Sequence, residues 1–166
     1  MNFADFLRSR TPARPPVTGR PLVIQCGGTK KPGVHPVGEL YLGPFWSTYR
    51  AARDRRGGTL PFPVYVLSAE YGLASVTERV KDYDAVLSER PKAANEVAVE
   101  AILPLLQRQK GQVGPEVDVV GSKLYREALQ RAGFVVHPLS TGDLLAMRKA
   151  LKTYLTERDS GPLSSF

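Results

Sequence analysis

Cysteine and histidine are scarce in this chain of 166 residues. Cys26 is the only cysteine, and His35 and His137 are the only histidines. A single cysteine excludes an intramolecular disulfide and a zinc site built from cysteines. Asp82 and Asp84 are close in sequence, but no further carboxylate or histidine has the spacing that a metal site needs. We therefore expect neither a metal nor a cofactor.

Long apolar runs are absent as well. No run of about 18 apolar residues occurs, so we expect no transmembrane helix and no membrane partner. Residues 1–20 also lack the apolar core of a signal peptide. Together with the single cysteine, these absences predict a cytoplasmic protein in a reducing environment.

Acidic residues are outnumbered by basic ones. The chain has 23 Lys and Arg against 16 Asp and Glu, which gives a net charge of +7. Such a surface favours polyanions, and we expect the partner to be nucleic acid or a nucleotide. The candidates for nucleic-acid binding are Arg14, Arg20 and Lys31, with Arg50 and Arg53 in "YRAARDRR". The alternative for that last segment is a solvated helix end whose cations complement the helix dipole.

The chain divides into an arm, one domain and a tail. Residues 1–20 combine a short helical pattern with prolines that favour an extended, basic arm. Residues 21–158 are long enough for a single α/β domain with its own core. Residues 159–166 are predicted to be a flexible tail.

Short apolar runs alternate with helical patterns along this domain. Strands are predicted at 21–26, 62–68, 116–122 and 134–138, and helices at 43–56, 91–110, 123–133 and 141–158. Pro104 is expected to kink or split the second helix, and residues 77–90 are expected to be partly loop. The alternation predicts a three-layer, Rossmann-like α/β sandwich with a mainly parallel sheet of about four to five strands.

All four predicted strands are followed by glycine or small hydroxyl residues. The segments are "CGGTKK", "SAEYG", "GSK" and "HPLSTG". In α/β folds, ligands bind beyond the carboxyl ends of the strands. Four polar strand ends therefore predict one shared polar pocket.

The first of these segments is suited to an anion. Gly27 and Gly28 allow backbone N–H groups to approach a phosphate, Thr29 adds a hydroxyl, and Lys30 adds charge. The P-loop spacing is absent, so ATP hydrolysis has no support. The alternative is a plain turn with exposed lysines. Cys26 is either a small buried residue or a nucleophile.

The second segment carries a hydroxyl, a carboxylate and a phenol on Ser68, Glu70 and Tyr71, followed by Gly72. Glu70 is a candidate for orienting a ribose hydroxyl or for acid–base chemistry. The alternatives are that Glu70 caps a helix or pairs with an arginine. We predict that this segment forms one wall of the pocket.

The remaining candidates lie on later segments. Ser122 and Lys123 open a helix after a strand, where free N–H groups suit a phosphate, although an ordinary N-cap explains them equally well. Asp82 and Asp84 form either a carboxylate pair or a turn. His137 is a candidate for acid–base chemistry, or a structural histidine.

A set of short motifs resembles an uncharacterised bacterial, archaeal and phage family. Its members share C-x-x-x-K, an LY-x-G segment followed by Phe, LSA-x-[HY]-GL and a PYD motif, and this chain carries "CGGTK", "ELYLGPFW", "VLSAEYGL" and "DYDAVL". The resemblance spans about residues 22–155 and extends, more distantly, to the peroxide-stress YaaA proteins. The matching positions are Cys26, Lys30, Leu40, Tyr41, Gly43, Phe45, Leu67, Ser68, Ala69, Tyr71, Gly72, Tyr83 and Asp84.

This resemblance implies DNA binding and protection from oxidative damage, or a role beside nucleobase-modifying systems. It adds Tyr41 and Tyr83 to the candidate ligand-binding residues. Two positions depart from the pattern. Tyr71 stands where many relatives have His, and Asp82 replaces the Pro of the PYD motif.

A second, weaker resemblance concerns "VVHPLSTGDLLAMRKAL". It is similar to the strand–His-Pro–Ser–helix end of uracil-DNA glycosylases, where a histidine stabilises the departing base. The water-activating motif that follows the first strand of those enzymes is missing here.

We therefore expect a nucleic-acid- or nucleotide-binding protein that acts in nucleobase modification, DNA repair or stress protection. If it is an enzyme, cleavage or exchange of an N-glycosidic bond fits best. Lys30 would hold phosphate, Glu70 or Asp84 would stabilise a sugar cation or activate water, and His137 would face the leaving base. The alternatives are a non-catalytic DNA-binding stress protein and a nucleotide-sensing domain. The helical segments leave room for a dimer interface, but no heptad pattern identifies one.

Overall fold

The computed structural model describes residues 19–164, with side chains described as far as residue 158. Arg14, the predicted helix in the arm and the rest of residues 1–18 lie outside the described part, as do residues 165 and 166. In chain order the elements are β1 (Leu22–Gln25), β2 (Val34–Pro36), α1 (Val37–Leu40), α2 (Pro44–Arg55), β3 (Val64–Ser68), β4 (Gly72–Ser75), β5 (Arg79–Lys81), β6 (Val86–Ser88), β7 (Glu96–Ala98), α3 (Val99–Val113), β8 (Glu116–Val120), α4 (Lys123–Arg131), β9 (Val135–Pro138) and α5 (Leu144–Ser164).

The centre of the fold is a five-stranded sheet in the order β4-β3-β1-β8-β9. The four strands β3, β1, β8 and β9 are parallel, and β4 is antiparallel to β3. A mixed α/β fold with a mainly parallel sheet is therefore confirmed, and each of the four predicted strands lies within two residues of its expected bounds. From β1 the chain first adds β3 on one side and later β8 on the other. The order of the parallel strands thus reverses between β1 and β8, which is where such folds bind ligands.

Strand β1 is buried on both faces. Leu22, Val23 and Ile24 each have 0% exposure. Because successive side chains of a strand point to opposite faces, both faces of the sheet are covered at its centre. The helices pack in two pairs, α2 against α5 and α3 against α4.

The edge strand β4 was not predicted from the sequence. Ser68 pairs with Gly72 across a three-residue connection, so "SAEYG" forms the turn of a β-hairpin. Gly72 has a φ of +65°, the left-handed conformation that closes three-residue hairpins. Gln109, on α3, then satisfies the open edge: it accepts a hydrogen bond from Leu73 N at 2.8 Å and donates to Leu73 O at 2.9 Å.

The helix predicted over 91–110 is wrong in its first part. Glu96–Ala98 forms β7, which pairs in parallel with β6, so tertiary pairing overrides the helical composition of this segment. Helix α3 begins only at Val99 and continues through Pro104 without a break in its assignment. Pro104 is exposed. The carbonyl that loses its hydrogen-bond donor there can therefore be hydrated.

Residues 77–90, expected to be partly loop, contain two short strands, of which β5 pairs with β2 and β6 pairs with β7. The last helix starts later than predicted because Asp143 is its N-cap, accepting a hydrogen bond from Ala146 N at 2.9 Å. Its described backbone continues to Ser164, into the segment expected to be a tail. In the described part of the chain, no helix is both long and apolar enough to cross a membrane.

Candidate functional site

The carboxyl ends of β1 and β8 are joined at the point where the strand order reverses. Gln25, the last residue of β1, accepts a hydrogen bond from Ser122 N at 2.7 Å through its side chain. Its backbone carbonyl accepts one from Trp46 Nε1 at 3.0 Å. A Cβ atom at Gly121 would lie 3.3 Å from Gln25 Cβ, so the two strand ends meet closely because Gly121 has no side chain. Gln25 and Trp46 were not among the predicted site residues.

The loop after β1 presents backbone donors. The N–H groups of Gly27, Gly28 and Thr29 donate to no acceptor within the described residues. The carbonyl of Thr29 accepts from Leu42 N at 2.9 Å, and Lys30 forms a bridge with Tyr41. The loop is thus held from one side only, and its amide groups are available to an anion, as in backbone anion-binding loops.

The first turn of α4 lies beside this loop. Ser122 is the N-cap residue, but its side chain makes no capping hydrogen bond. The side chain of Lys123 is 81% exposed and approaches Glu127 at 3.7 Å. The positive end of the helix dipole therefore faces the same edge of the sheet as the glycine loop.

Three tyrosines from distant segments form a tyrosine cluster, defined by Tyr41, Tyr71 and Tyr83. The hydroxyl oxygens of Tyr41 and Tyr83 lie 2.6 Å apart in a hydrogen bond. The ring of Tyr71 packs edge-on against Tyr83 with centroids 5.4 Å apart. Ser68 holds this arrangement, since its Oγ accepts a hydrogen bond from Tyr71 N at 2.8 Å. Sequence reasoning nominated all four residues but not their contact with one another.

Lys30 connects the glycine loop to the tyrosine cluster. Its Nζ lies 4.4 Å from the ring centroid of Tyr83 and 5.9 Å from that of Tyr41. Both distances are in the range of cation–π contacts. A cation, three backbone donors and partly exposed aromatic rings thus lie side by side.

Burial keeps the hydroxyls of Tyr41 and Tyr83 neutral. Burial raises the pKa of Tyr83 far above its ordinary value, the nearby Cys26 and Tyr41 raise it further, and a hydrogen bond with Ser68 opposes them. Burial likewise raises the pKa of Tyr41, although the hydrogen bond with Tyr83 opposes this. Neutral phenols donate and accept hydrogen bonds but do not act as bases near neutral pH.

Cys26 lies beneath the site. It is 8% exposed, and its Sγ lies 3.3 Å from the hydroxyl oxygen of Tyr125. Burial raises the pKa of Tyr125, and the adjacent Cys26 raises it further. The structure thus places Cys26 against a buried phenol, as expected of a small packing residue.

The three candidate carboxylates differ in exposure and in hydrogen bonding. Glu70 is exposed in the hairpin turn beside Tyr71, and Asp84 is exposed beside Tyr83. Asp82 accepts a hydrogen bond from Gly33 N at 3.0 Å and so fixes the loop. Within residues 19–158, no three His, Cys, Asp or Glu side chains are grouped as metal ligands.

His137 lies away from these residues. It lies in register with Asp118, which in turn is in register with Leu22 at the beginning of β1. Cys26 is four residues further along β1, roughly 13 Å at about 3.3 Å per residue. Nε2 of His137 lies 3.5 Å from Oε2 of Glu116.

The described residues among the predicted nucleic-acid contacts have partners within the protein. Arg50 donates to Tyr41 O at 2.7 Å and Arg53 donates to Glu39 at 2.5 Å. Lys31 approaches the same carboxylate at 4.0 Å.

Arg20 donates to Asp118 at 2.8 Å. Asp118 also accepts a hydrogen bond from Tyr154 at 2.8 Å. This group of residues connects the segment before β1 to helix α5.

Fold and site together define a mixed α/β protein with a polar, tyrosine-rich site at the carboxyl ends of a mainly parallel sheet. The chain belongs to a family of unknown function (DUF6884), whose model matches residues 22–142. This range includes every element of the site. No curated protein and no solved structure shows significant similarity to the chain.

Proposed function

We propose that the site binds a nucleotide unit, free or within nucleic acid, and that the protein acts in nucleobase modification, DNA repair or stress protection. The position of Lys30, with its Nζ 4.4 Å from the Tyr83 ring and next to three unpaired amide groups, carries this proposal. An anion-binding loop and an aromatic wall correspond to the two parts of a nucleotide, the phosphate and the base.

The phosphate would bind to the loop of Gly27, Gly28 and Thr29. Unpaired backbone donors and a helix N-terminus both favour negative charge. The ammonium of Lys30 would add a charge-assisted hydrogen bond. Gly28 supports this role. Apart from its two chain neighbours, no described residue has an atom within 4 Å of the position that a Cβ of Gly28 would occupy, so the loop is open on that side.

The base would contact the partly exposed rings of Tyr71 and Tyr83. Aromatic side chains stack on every nucleobase, so this wall would favour bases without selecting one.

N-glycosidic bond cleavage or exchange is the reaction that we propose for the site. In hydrolysis, the bond between C1′ and the base breaks, the base leaves with the bonding electrons and takes a proton from solvent, and a water molecule adds its oxygen to C1′. The positive charge that develops on the sugar is stabilised by a carboxylate. Glu70 and Asp84 are the exposed carboxylates adjacent in sequence to Tyr71 and Tyr83, and one of them would take this role. His137 lies near the opposite end of β1 and takes no part in the proposed reaction.

The motif likeness to the peroxide-stress YaaA proteins supports the same class of function. We also propose that the two helix pairs cover opposite faces of the sheet in a three-layer, Rossmann-like sandwich, because β1 is buried on both sides. A nucleotide-sensing domain is the rival, since the same loop and rings would bind a nucleotide without consuming it.

Calorimetric titration with matched nucleoside monophosphates and nucleosides tests the binding proposal. Lys30→Gln should weaken monophosphate binding by about 10-fold or more, as expected for a lost charge-assisted hydrogen bond. It should leave nucleoside binding nearly unchanged. Lys31→Gln is the matched control, because the Lys31 side chain is directed to Glu39. If Lys30→Gln and Lys31→Gln behave alike, the phosphate assignment is wrong.

Mass spectrometry of nucleotides and modified-base DNA incubated with the protein tests the reaction. Released base that disappears in Glu70→Gln or Asp84→Asn supports an enzyme. Binding without any released base supports the sensing domain.

A further inference from the structure

A second surface lies on the outer side of the α2–α5 helix pair, apart from the strand-end site. It is a groove of about 470 Å³ whose lining includes four basic side chains. We call it the basic groove. Its cations are Arg55 on α2 and Arg148, Lys149 and Lys152 on α5.

All four cations are exposed, and none has an ion-pair partner within residues 19–158. Among the described residues, no acidic side chain lines the basic groove. By contrast, a smaller hollow beside α3 and α4 is lined by Glu89, Glu100 and Glu127 together with one arginine, Arg131. The basic groove is therefore the more positive of these two hollows.

The cations of the basic groove come from both of its helices. Arg148 and Lys152 are four positions apart, so they lie on the same face of α5, about 6 Å apart along its axis at 1.5 Å per residue. Lys149 lies about 100° away around the same helix, and Arg55 lines the groove from α2. Two cations at that separation can contact neighbouring phosphates, since each strand of duplex DNA carries one charge per about 3.4 Å of helix axis.

We propose that the basic groove binds the phosphate backbone of double-stranded DNA, independently of sequence. In the described part of the chain, its uncharged lining consists of Ala51, Ala52, Leu145, Leu155 and two hydroxyl residues, and includes no aromatic ring on which an unpaired base could stack. The hydroxyl hydrogens of Ser47 and Thr48 both go to Pro44 O, so these two side chains can accept from, but not donate to, the 2′-hydroxyl groups by which RNA duplexes are recognised. Charge alone remains as the basis of recognition, which is how proteins bind the DNA backbone.

This assignment differs from the sequence-based one in its residues. Arg50 and Arg53, on the same helix as Arg55, are turned towards Tyr41 O and Glu39. The inference does not depend on the nucleotide site, because none of the residues of the basic groove belongs to that site.

Salt-dependent binding of the full-length protein to a fluorescent DNA duplex of mixed sequence tests this proposal. The test variant is Arg148→Gln with Lys152→Gln. The control variant, Lys92→Gln with Arg108→Gln, removes the same charge from exposed positions on the α3 side of the molecule. Circular dichroism and thermal unfolding check that both variants fold, and Arg55→Gln with Lys149→Gln is the second test pair if the first one does not.

Each phosphate contact contributes about 0.9 to the slope of log affinity against log salt, so the test variant should have a slope about 1.8 shallower than wild type. Between about 50 and 200 mM salt, its loss of affinity should then be about 12-fold smaller than that of wild type. The control variant should keep the wild-type slope to within about half a unit.

Equal slopes for the test and control variants would overturn the proposal, as would the absence of duplex binding at low salt. Tighter binding to a single strand or to duplex RNA of the same sequence would overturn the assignment to duplex DNA. If Lys30→Gln loses base release or nucleotide binding but still binds duplex DNA, the two sites act independently, as proposed.

Discussion

The hydroxyl oxygens of Tyr41 and Tyr83 lie 2.6 Å apart, although the two residues are separated by 42 positions in the chain. Tyr41 is completely buried behind the loop after β1, whereas Tyr83 is partly exposed in the loop before β6. This hydrogen bond therefore attaches the loop before β6, which carries Tyr83, to the core of the protein. The ring of the same Tyr83 lies 4.4 Å from Lys30 Nζ.

Tyr83→Phe tests this attachment. The hydroxyl of Tyr41, which makes no other hydrogen bond within the described residues, would be left buried without a partner. We expect a loss of about 1–3 kcal/mol in the free energy of unfolding, measured by urea denaturation. Tyr65→Phe is the control, because the Tyr65 hydroxyl makes no hydrogen bond to a described residue, and it should change stability by less than about 0.5 kcal/mol. Equal effects of the two substitutions would show that the hydroxyl pair does not hold the loop.

Alkaline pH should destabilise the protein through the same pair. Burial raises the folded-state pKa of Tyr41 and Tyr83, whereas in the unfolded chain both ionise near their ordinary value of about 10. Above about pH 10 the unfolded state therefore loses protons that the folded state keeps, and stability falls as pH rises. Each tyrosine contributes a slope of up to about 1.4 kcal/mol per pH unit.

Urea denaturation of wild type and Tyr41→Phe/Tyr83→Phe between about pH 9 and 11 measures this difference. The variant should lose less stability over that interval, because phenylalanine does not ionise. Parallel pH profiles for the two proteins would contradict the expectation. The other buried tyrosines are present in both, so their contribution cancels.

Gly72→Ala should destabilise the hairpin. A Cβ at this position would lie 2.6 Å from Gln109 Oε1 and 2.9 Å from Leu105 Cδ2, and φ is +65°. We expect a cost of about 2–3 kcal/mol, measured by thermal or urea unfolding. Gly57→Ala isolates the backbone contribution, since Gly57 has a φ of +81° but no atom within 4 Å of its Cβ position. Its cost should be about 1 kcal/mol. If the Gly72→Ala protein is no less stable than the Gly57→Ala protein, then a Cβ at position 72 does not clash with α3.

Gln109→Ala should release the edge strand β4. The side chain of Gln109 accepts from Leu73 N and donates to the carbonyls of Leu73 and Tyr71. Its loss should cost about 2 kcal/mol and should accelerate hydrogen exchange of the Leu73 amide, which would then lack an acceptor. Gln112→Ala, at an exposed position of the same helix, is the control. Unchanged exchange at Leu73 would show that Gln109 does not protect this edge.

The sequence by itself determined the alternation of strands and helices and the polar character of the strand ends. Buried parallel strands such as β1 read as short continuous apolar runs, so their positions were predictable to within two residues. Helix α2 was equally predictable, because Pro44 at its first position and its helix-forming residues are local signals. The glycine loop with Lys30 and the tyrosine of "SAEYG" were also identified as candidates from local sequence, whereas Tyr83 of "DYDAVL" became a candidate through the family resemblance.

Only the tertiary structure decided which of those candidates meet. Strands β4 and β7 depend on partners provided by the fold, and strand propensity depends on such context more than helix propensity does. The contact of Lys30 with Tyr83 and the inward direction of Arg50 and Arg53 likewise join residues far apart in sequence. The position of His137 depends on the register of β8 with β9, which no pattern within its own segment records. Local patterns determine local structure, whereas a site is built from long-range contacts that form only when the whole chain is packed.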